Sequence, residues 1–256
     1  MKLSVLIPVI FLVLTACSPE PVLRLQPDQM DDNGLLMYRG MEYLMSEKNR
    51  TAAIIAYYRH IDGRIVMDLE VFNDSEEIIR VDPKNVTYRA YWIPKTWDEN
   101  PEDNEGLQVL HAKDQAEDPE TILLNIDKTK ARTNARNQTG AVFDGITATL
   151  DAAGGIQDAV SGDQSEETRA RQERRMLRAY QRSERRDNYY QNITNLNDQR
   201  LYWESETLRT TDLMPGDSVA GEIHIPVHRH LGLIEIDVGV GEETHTFRYR
   251  QKSFDP

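Results

Sequence analysis

Ile65-Val66-Met67-Asp68-Leu69-Glu70-Val71-Phe72 places Ile65, Met67, Leu69 and Val71 on one side of an extended chain and Val66, Asp68, Glu70 and Phe72 on the other. A period of two marks a half-buried β-strand, so this octet predicts a strand with one face in a core. Upstream, residues 52–58 are a β-prone run, and Asp62-Gly63 between the two runs is a hairpin turn signal. Downstream, Asn73-Asp74-Ser75 makes a turn and residues 78–81 a short strand. Val86, Tyr88, Ala90 and Trp92 form one face of the next strand, with Pro83 and Pro94 as punctuation.

The same grammar returns near the C-terminus. Leu213-Met214-Pro215-Gly216-Asp217 is turn chemistry. Val219, Gly221, Ile223, Ile225 and Val227 then share a face, as do Ile234, Ile236, Val238 and Val240, and finally His245, Phe247 and Tyr249. Seven or eight short strands with turns between them predict an antiparallel β-sandwich split across the sequence. Between the halves the pattern turns helical: 121–135 is a modest helix candidate, 140–160 is small and apolar, and 164–199 is long, charged and free of proline. Gly154-Gly155 is expected to weaken or end the middle helix. The fold class is therefore mainly β with a helical insertion (α+β), the insertion being a helical hairpin. The expected layout is a leader over 1–16, a tether over 17–34, sandwich over 35–120, helical insertion over 121–203 and sandwich again over 204–256. Residues 35–46 are ambiguous between a helix and an edge strand.

The chain has 256 residues, with 30 Lys and Arg against 43 Asp and Glu, a formal charge of −13. That balance argues against general nucleic-acid affinity, which needs phosphate neutralisation. At the N-terminus, Lys2 precedes an apolar run over 3–14 that is too short for a permanent membrane span, so it is expected to be a cleaved export signal. Residues 18–33 carry Pro19, Pro21, Pro27, Asp28, Asp31 and Asp32 and predict a semi-rigid spacer. Cys17 is the only cysteine, so no disulfide is available to the exported fold.

Two resemblances follow from these residues. Leu14-Thr15-Ala16-Cys17 resembles the lipobox of bacterial lipoproteins. It implies that Cys17 becomes an acylated, palmitate-bearing N-terminus, and Ser18 after it favours the outer membrane of a Gram-negative cell. Val71-Phe72-Asn73-Asp74-Ser75 with Val81-Asp82-Pro83, and later Leu213-Met214-Pro215-Gly216, resemble the immunoglobulin-like domains of unknown function found in many exported lipoproteins. That likeness spans roughly 51–93 and 204–251 and implies a fold and a cellular address, without a catalytic residue.

His224 and His228 point the same way on a strand, so two imidazoles can reach one metal, with His230 and His245 nearby. The alternative is a solvated sheet face, because Glu222 shares it. Arg171, Arg174, Arg175, Arg178, Arg182 and Arg185 make the long helix basic. They read either as a solvated face with i,i+4 pairs such as Glu167/Arg171, or as an interaction surface for the acidic stretch 98–120, a second copy, a partner or anionic lipid. Ala141/Gly145 and Ala148/Ala152 permit a close helix approach, within the hairpin or between copies. No nucleophile elbow, zinc-protease pair or phosphate-cradling loop is present, and Gly239-Val240-Gly241 precedes no helix. The sequence therefore predicts a non-enzymatic, lipid-anchored binding or assembly module without cofactor or metal. The rivals are an envelope protein that binds or hydrolyses glycan or peptide, for which an aromatic cleft near Trp92, Trp97 and Trp203 is the discriminating feature, and a structural spacer.

Overall fold

The computed structural model describes residues 22–28, 33–61, 63–92, 109–161, 166–226 and 232–254. They form two compact units, one from the two ends of the chain and one from Pro119–Thr207.

The first unit is a sandwich of two five-stranded antiparallel sheets. One sheet has the order β1 (Val22–Pro27), β12 (Glu243–Phe254), β11 (Leu233–Val240), β7 (Val86–Trp92), β8 (Val109–Gln115). The other has the order β10 (Ser218–Pro226), β5 (Arg64–Asn73), β4 (Thr51–Ile61), β3 (Met41–Lys48), β2 (Gly34–Tyr38). A short ribbon of β6 (Ile79–Val81) and β9 (Thr211–Leu213) completes it. The alternation in 65–72 is realised: Ile65, Met67, Leu69 and Val71 join one core with Leu44, Ile55, Tyr88, Ile225, Phe247 and Tyr249. Each large side chain buried there is worth about 1.5–3 kcal/mol over its exposed state, which is why inward residues alternate so strictly.

The strand edges differ from expectation in three places. The tether expected over 17–34 contains β1, which pairs with β12 from Val22↔Phe254 to Pro27↔Tyr249. Leu25 is in the core, and Pro27 is tolerated because β1 is an edge strand whose outer N–H row has no neighbour. The ambiguous segment 35–46 is a hairpin: β2 and β3 are joined by Arg39 and Gly40, both at positive φ. Asn49 and Arg50 join β3 to β4 the same way, the two-residue geometry that matches sheet twist. Finally, the acidic stretch 98–120 includes strand β8, so its residues 109–115 belong to a sheet.

Buried polar ties lock the sandwich. Tyr249 on β12 donates to the Ile55 carbonyl of the opposite sheet at 2.9 Å. His245, fully buried, meets the Ser46 and Thr51 hydroxyls at 3.0 Å each. Asn73 is also fully buried. Its side-chain amide donates to the carbonyls of Glu77 at 2.8 Å and Leu213 at 3.1 Å, and its side-chain oxygen accepts from the Ser75 hydroxyl at 2.6 Å. The Gly216 amide donates to the Asn73 carbonyl at 2.7 Å. The Asn-Asp-Ser turn and the Pro-Gly turn, 140 residues apart in sequence, are thus two halves of one knot.

The second unit is an antiparallel helical hairpin of α1 (Pro119–Ser161) and α2 (Glu166–Ser205). Its limits are close to the expected 121–203, but the separate candidates at 121–135 and 140–160 are one continuous helix. Gly154-Gly155 does not end it. A Cβ at Gly154 would lie 2.7 Å from the Arg175 guanidinium, so the missing side chain makes room for an arginine that lies across the helix.

Candidate functional site

At one end of the hairpin, Leu123, Ile126 and Trp203 form a small apolar cluster with Ile122, Leu196 and Tyr202. Beyond it the seam becomes polar. On α2 the seam positions Thr168, Arg171, Arg175, Arg178, Arg182, Arg185 and Tyr189 alternate by three and four residues, the spacing of a coiled coil. On α1 they meet Asp144, Asp151 and the glycine pair. Arg178 donates two hydrogen bonds to Asp151, and Arg182 adds a third at 3.1 Å. Arg185 bonds Asp144 at 2.6 Å, and Tyr189 donates to Asn134 at 3.0 Å. The Arg178 guanidinium foremost, joined by Arg182, holds the Asp151 carboxyl below the usual carboxylate range.

This arrangement gives those arginines partners within the hairpin, while Asp98, Glu99, Glu102, Asp103 and Glu105 of the acidic stretch lie outside the described residues. The carboxylates paired with Arg178, Arg182 and Arg185 are α1's own aspartates, which break an otherwise apolar segment in the sequence. Arg171 bonds the Thr168 hydroxyl at 2.9 Å, and Arg175 lies against Gly154. Of the six arginines, Arg174 alone has no hydrogen bond or ion pair among the described residues. Of the acidic stretch, Glu117 pairs with Arg64 at 2.6 Å and Asp118 with Lys84 at 3.1 Å. The small residues are displaced from their expected role too: Ala141, Gly145 and Ala152 are exposed, and it is Ala148 with Asp144, Asp151 and Gly155 that lines the seam. A groove of about 720 Å³ runs beside them, lined by Gly140, Ala141, Arg182, Arg186 and Tyr189.

With arginines and aspartates occupying the seam, the large apolar residues stand outside it. Val142, Phe143, Ile146, Leu150 and Ile156 on α1 and Met176, Leu177 and Tyr180 on α2 are 54–68 % exposed. Among the described residues no helix is long and apolar enough to cross a membrane. Removing the Asp151 carboxylate (Asp151→Ala) leaves Arg178 and Arg182 facing one another without a counter-charge. Amide exchange in 144–185 is expected to accelerate while the sandwich amides are unchanged, as read by hydrogen exchange with mass spectrometry.

In the sandwich, His224 does not lie on a solvated face. It is 2 % exposed and paired in register with the fully buried Val66. Arg59 bound to Glu222 at 3.5 Å and Arg64 bound to Glu117 lie beside it. Burial, with a smaller contribution from those arginines, lowers its pKa to about 4. A neutral imidazole under a charged layer is a packing element, and alternation along β10 gave only the side it occupies. His228, His230, Cys17 and Trp97 lie outside the described residues. Among those described, no three or more His, Cys, Asp or Glu side chains gather as a metal site. Trp203 is packed in the hairpin's apolar cluster, whereas Trp92 is exposed on β7. A second groove, of about 830 Å³, lies between β1 and the β2–β4 strands, where the Tyr57 hydroxyl and His60 Nδ1 are 2.8 Å apart.

No protein-family model, curated protein or solved structure matches the chain.

Proposed function

We propose that this protein is an envelope lipoprotein, anchored through acylated Cys17 in the outer membrane, and that it serves as a non-enzymatic binding or assembly module. The immunoglobulin-like sandwich is the platform and the helical hairpin the interaction element. One observation carries the reading: Asp144 and Asp151 are paired with arginines in the seam of the hairpin, while large apolar side chains, Val142, Phe143, Ile146, Leu150 and Ile156 on α1 and Met176, Leu177 and Tyr180 on α2 among them, stand outside it. A hairpin built for solubility alone has the reverse arrangement, with an apolar stripe inside and charge outside. Exposed apolar residues gathered on one element mark an interaction surface. The arginines predicted as contacts act on this reading as the hairpin's internal clamp.

In-cell crosslinking and affinity capture test it, using the full-length protein beside a variant lacking residues 127–200. A specific partner or a second copy is expected with the first and not with the second; no capture above background by either removes the reading. The anchor is tested separately. Cys17→Ser is expected to abolish incorporation of labelled palmitate and to release the protein from the membrane fraction, because acyl chains contribute about 0.8 kcal/mol per buried CH₂.

A further inference from the structure

We propose that the outer back of α1 is a self-docking face, through which two copies of the chain pair about a two-fold axis. The inference rests on the reading of the hairpin as the interaction element and names its occupant. Phe143, Ile146 and Leu150 follow a three-then-four spacing with Val142 alongside. They lie about half a turn from the seam positions Asp144, Ala148 and Asp151, so each face of α1 has its own register.

Three observations select a second copy of α1 as the partner. First, residues 137–156 hold only two charged side chains, Asp144 and Asp151, and both are turned to α2 and bound by its arginines. The back of α1 can be stripped of water without burying a charge, and only another uncharged face matches it. The back of α2 does not match, because Glu173 before and Glu184 and Asp187 after Met176, Leu177 and Tyr180 bring charge to it. Secondly, a lipid-surface helix carries Lys and Arg on its polar side, and α1 has none over this stretch. Thirdly, the area suffices. Five side chains more than half exposed, with Thr139, Thr149 and Ala153 between them, offer roughly 600 Å² per copy, so a pair buries about 1,200 Å², above the roughly 1,000 Å² expected of a specific interface. An isologous pair uses the same patch twice and closes. Ile146 is central in the stripe and falls at the axis whether the two helices run parallel or antiparallel.

The experiment uses the full chain in mild detergent. Sedimentation is expected to show a dimer for the wild type. For Ile146→Glu/Leu150→Glu it is expected to show a monomer of unchanged helicity, with self-association at least tenfold weaker. In a Cys17→Ala background, Ile146→Cys is expected to form an intermolecular disulfide, and Met176→Cys, on the back of α2, is not; this arm does not depend on the glutamate variant folding. A monomeric wild type, a dimer that survives both glutamates, or equal crosslinking from the two cysteines overturns the inference. So does a monomer that binds phosphatidylglycerol vesicles through the same residues. A monomeric wild type that still captures another protein through the hairpin removes the second copy as occupant and leaves the module reading standing.

Discussion

Replacing Asn73 with alanine is expected to lower the unfolding free energy of the sandwich by about 3 kcal/mol, and replacing it with aspartate by more. Alanine leaves the carbonyls of Glu77 and Leu213 without their donor and the Ser75 hydroxyl without its acceptor. Aspartate restores an acceptor for Ser75 but sets a carboxylate against the same two carbonyls in a fully buried position. In a Trp203→Phe background, which removes the tryptophan packed in the hairpin, urea titration followed by tryptophan emission and by far-UV ellipticity separates the consequences. Trp92 reports on the sandwich, whereas helical ellipticity comes from the hairpin. The midpoint of the sandwich transition should fall while the hairpin transition stays in place. An Asn73→Ala variant within about 0.5 kcal/mol of the wild type would sink the description of this knot as a structural centre.

Acid is expected to destabilise the sandwich before its carboxylates titrate. With a folded pKa of about 4 against 6.5 when free, His224 binds its proton in the unfolded chain first. Between those two values the unfolded state holds more protons, so stability rises with pH. The contribution is complete above pH 6.5 and is lost as pH falls towards 4, about 2 kcal/mol of it between pH 7.5 and 5. His245 acts in the same direction, since burial foremost, aided by Lys48, lowers its pKa too. Urea midpoints measured at pH 7.5, 6 and 5 should fall in that order. In His224→Leu the fall should shrink by more than half. A His224 imidazole that titrates near 6.5 in the folded protein, seen by NMR, would contradict this account of the slope.

How much of this was legible in the sequence depends on the range of the interaction concerned. Strands β5, β7 and β10–β12 announce themselves because alternation is local, each inward residue being separated from the next by one outward residue, and β4 shows as a β-prone run. Strand β1 is obscured by the prolines and aspartates around it, and only its pairing with β12, more than 200 residues later, makes Pro27 an edge residue. Gly154-Gly155 reads as a helix breaker until Arg175, 21 positions on, is seen to cover it. The arginine-rich helix is visible in the composition, but its partners Asp144 and Asp151 read as blemishes in an apolar run. For His224, periodicity identifies the side of β10, and its burial there depends on what packs over it, which alternation along one strand does not encode.

The order of strands in the two sheets also fixes a schedule. Among the described residues the earliest strand, β1, pairs only with the latest, β12; β5 lies between β4, which precedes it, and β10, which emerges only after the whole hairpin. A chain delivered from its N-terminus can complete β2–β5 and then fold α1 against α2 locally, bringing residues 119 and 207 together and shortening the gap that β10 must close. Until residues 243–254 arrive, both β1 and β11 present an unpaired edge. A chain ending before residue 243 thus keeps the hairpin and half the sandwich yet exposes strand edges of the kind that aggregate, which makes residues 243–254 the step that commits the sandwich.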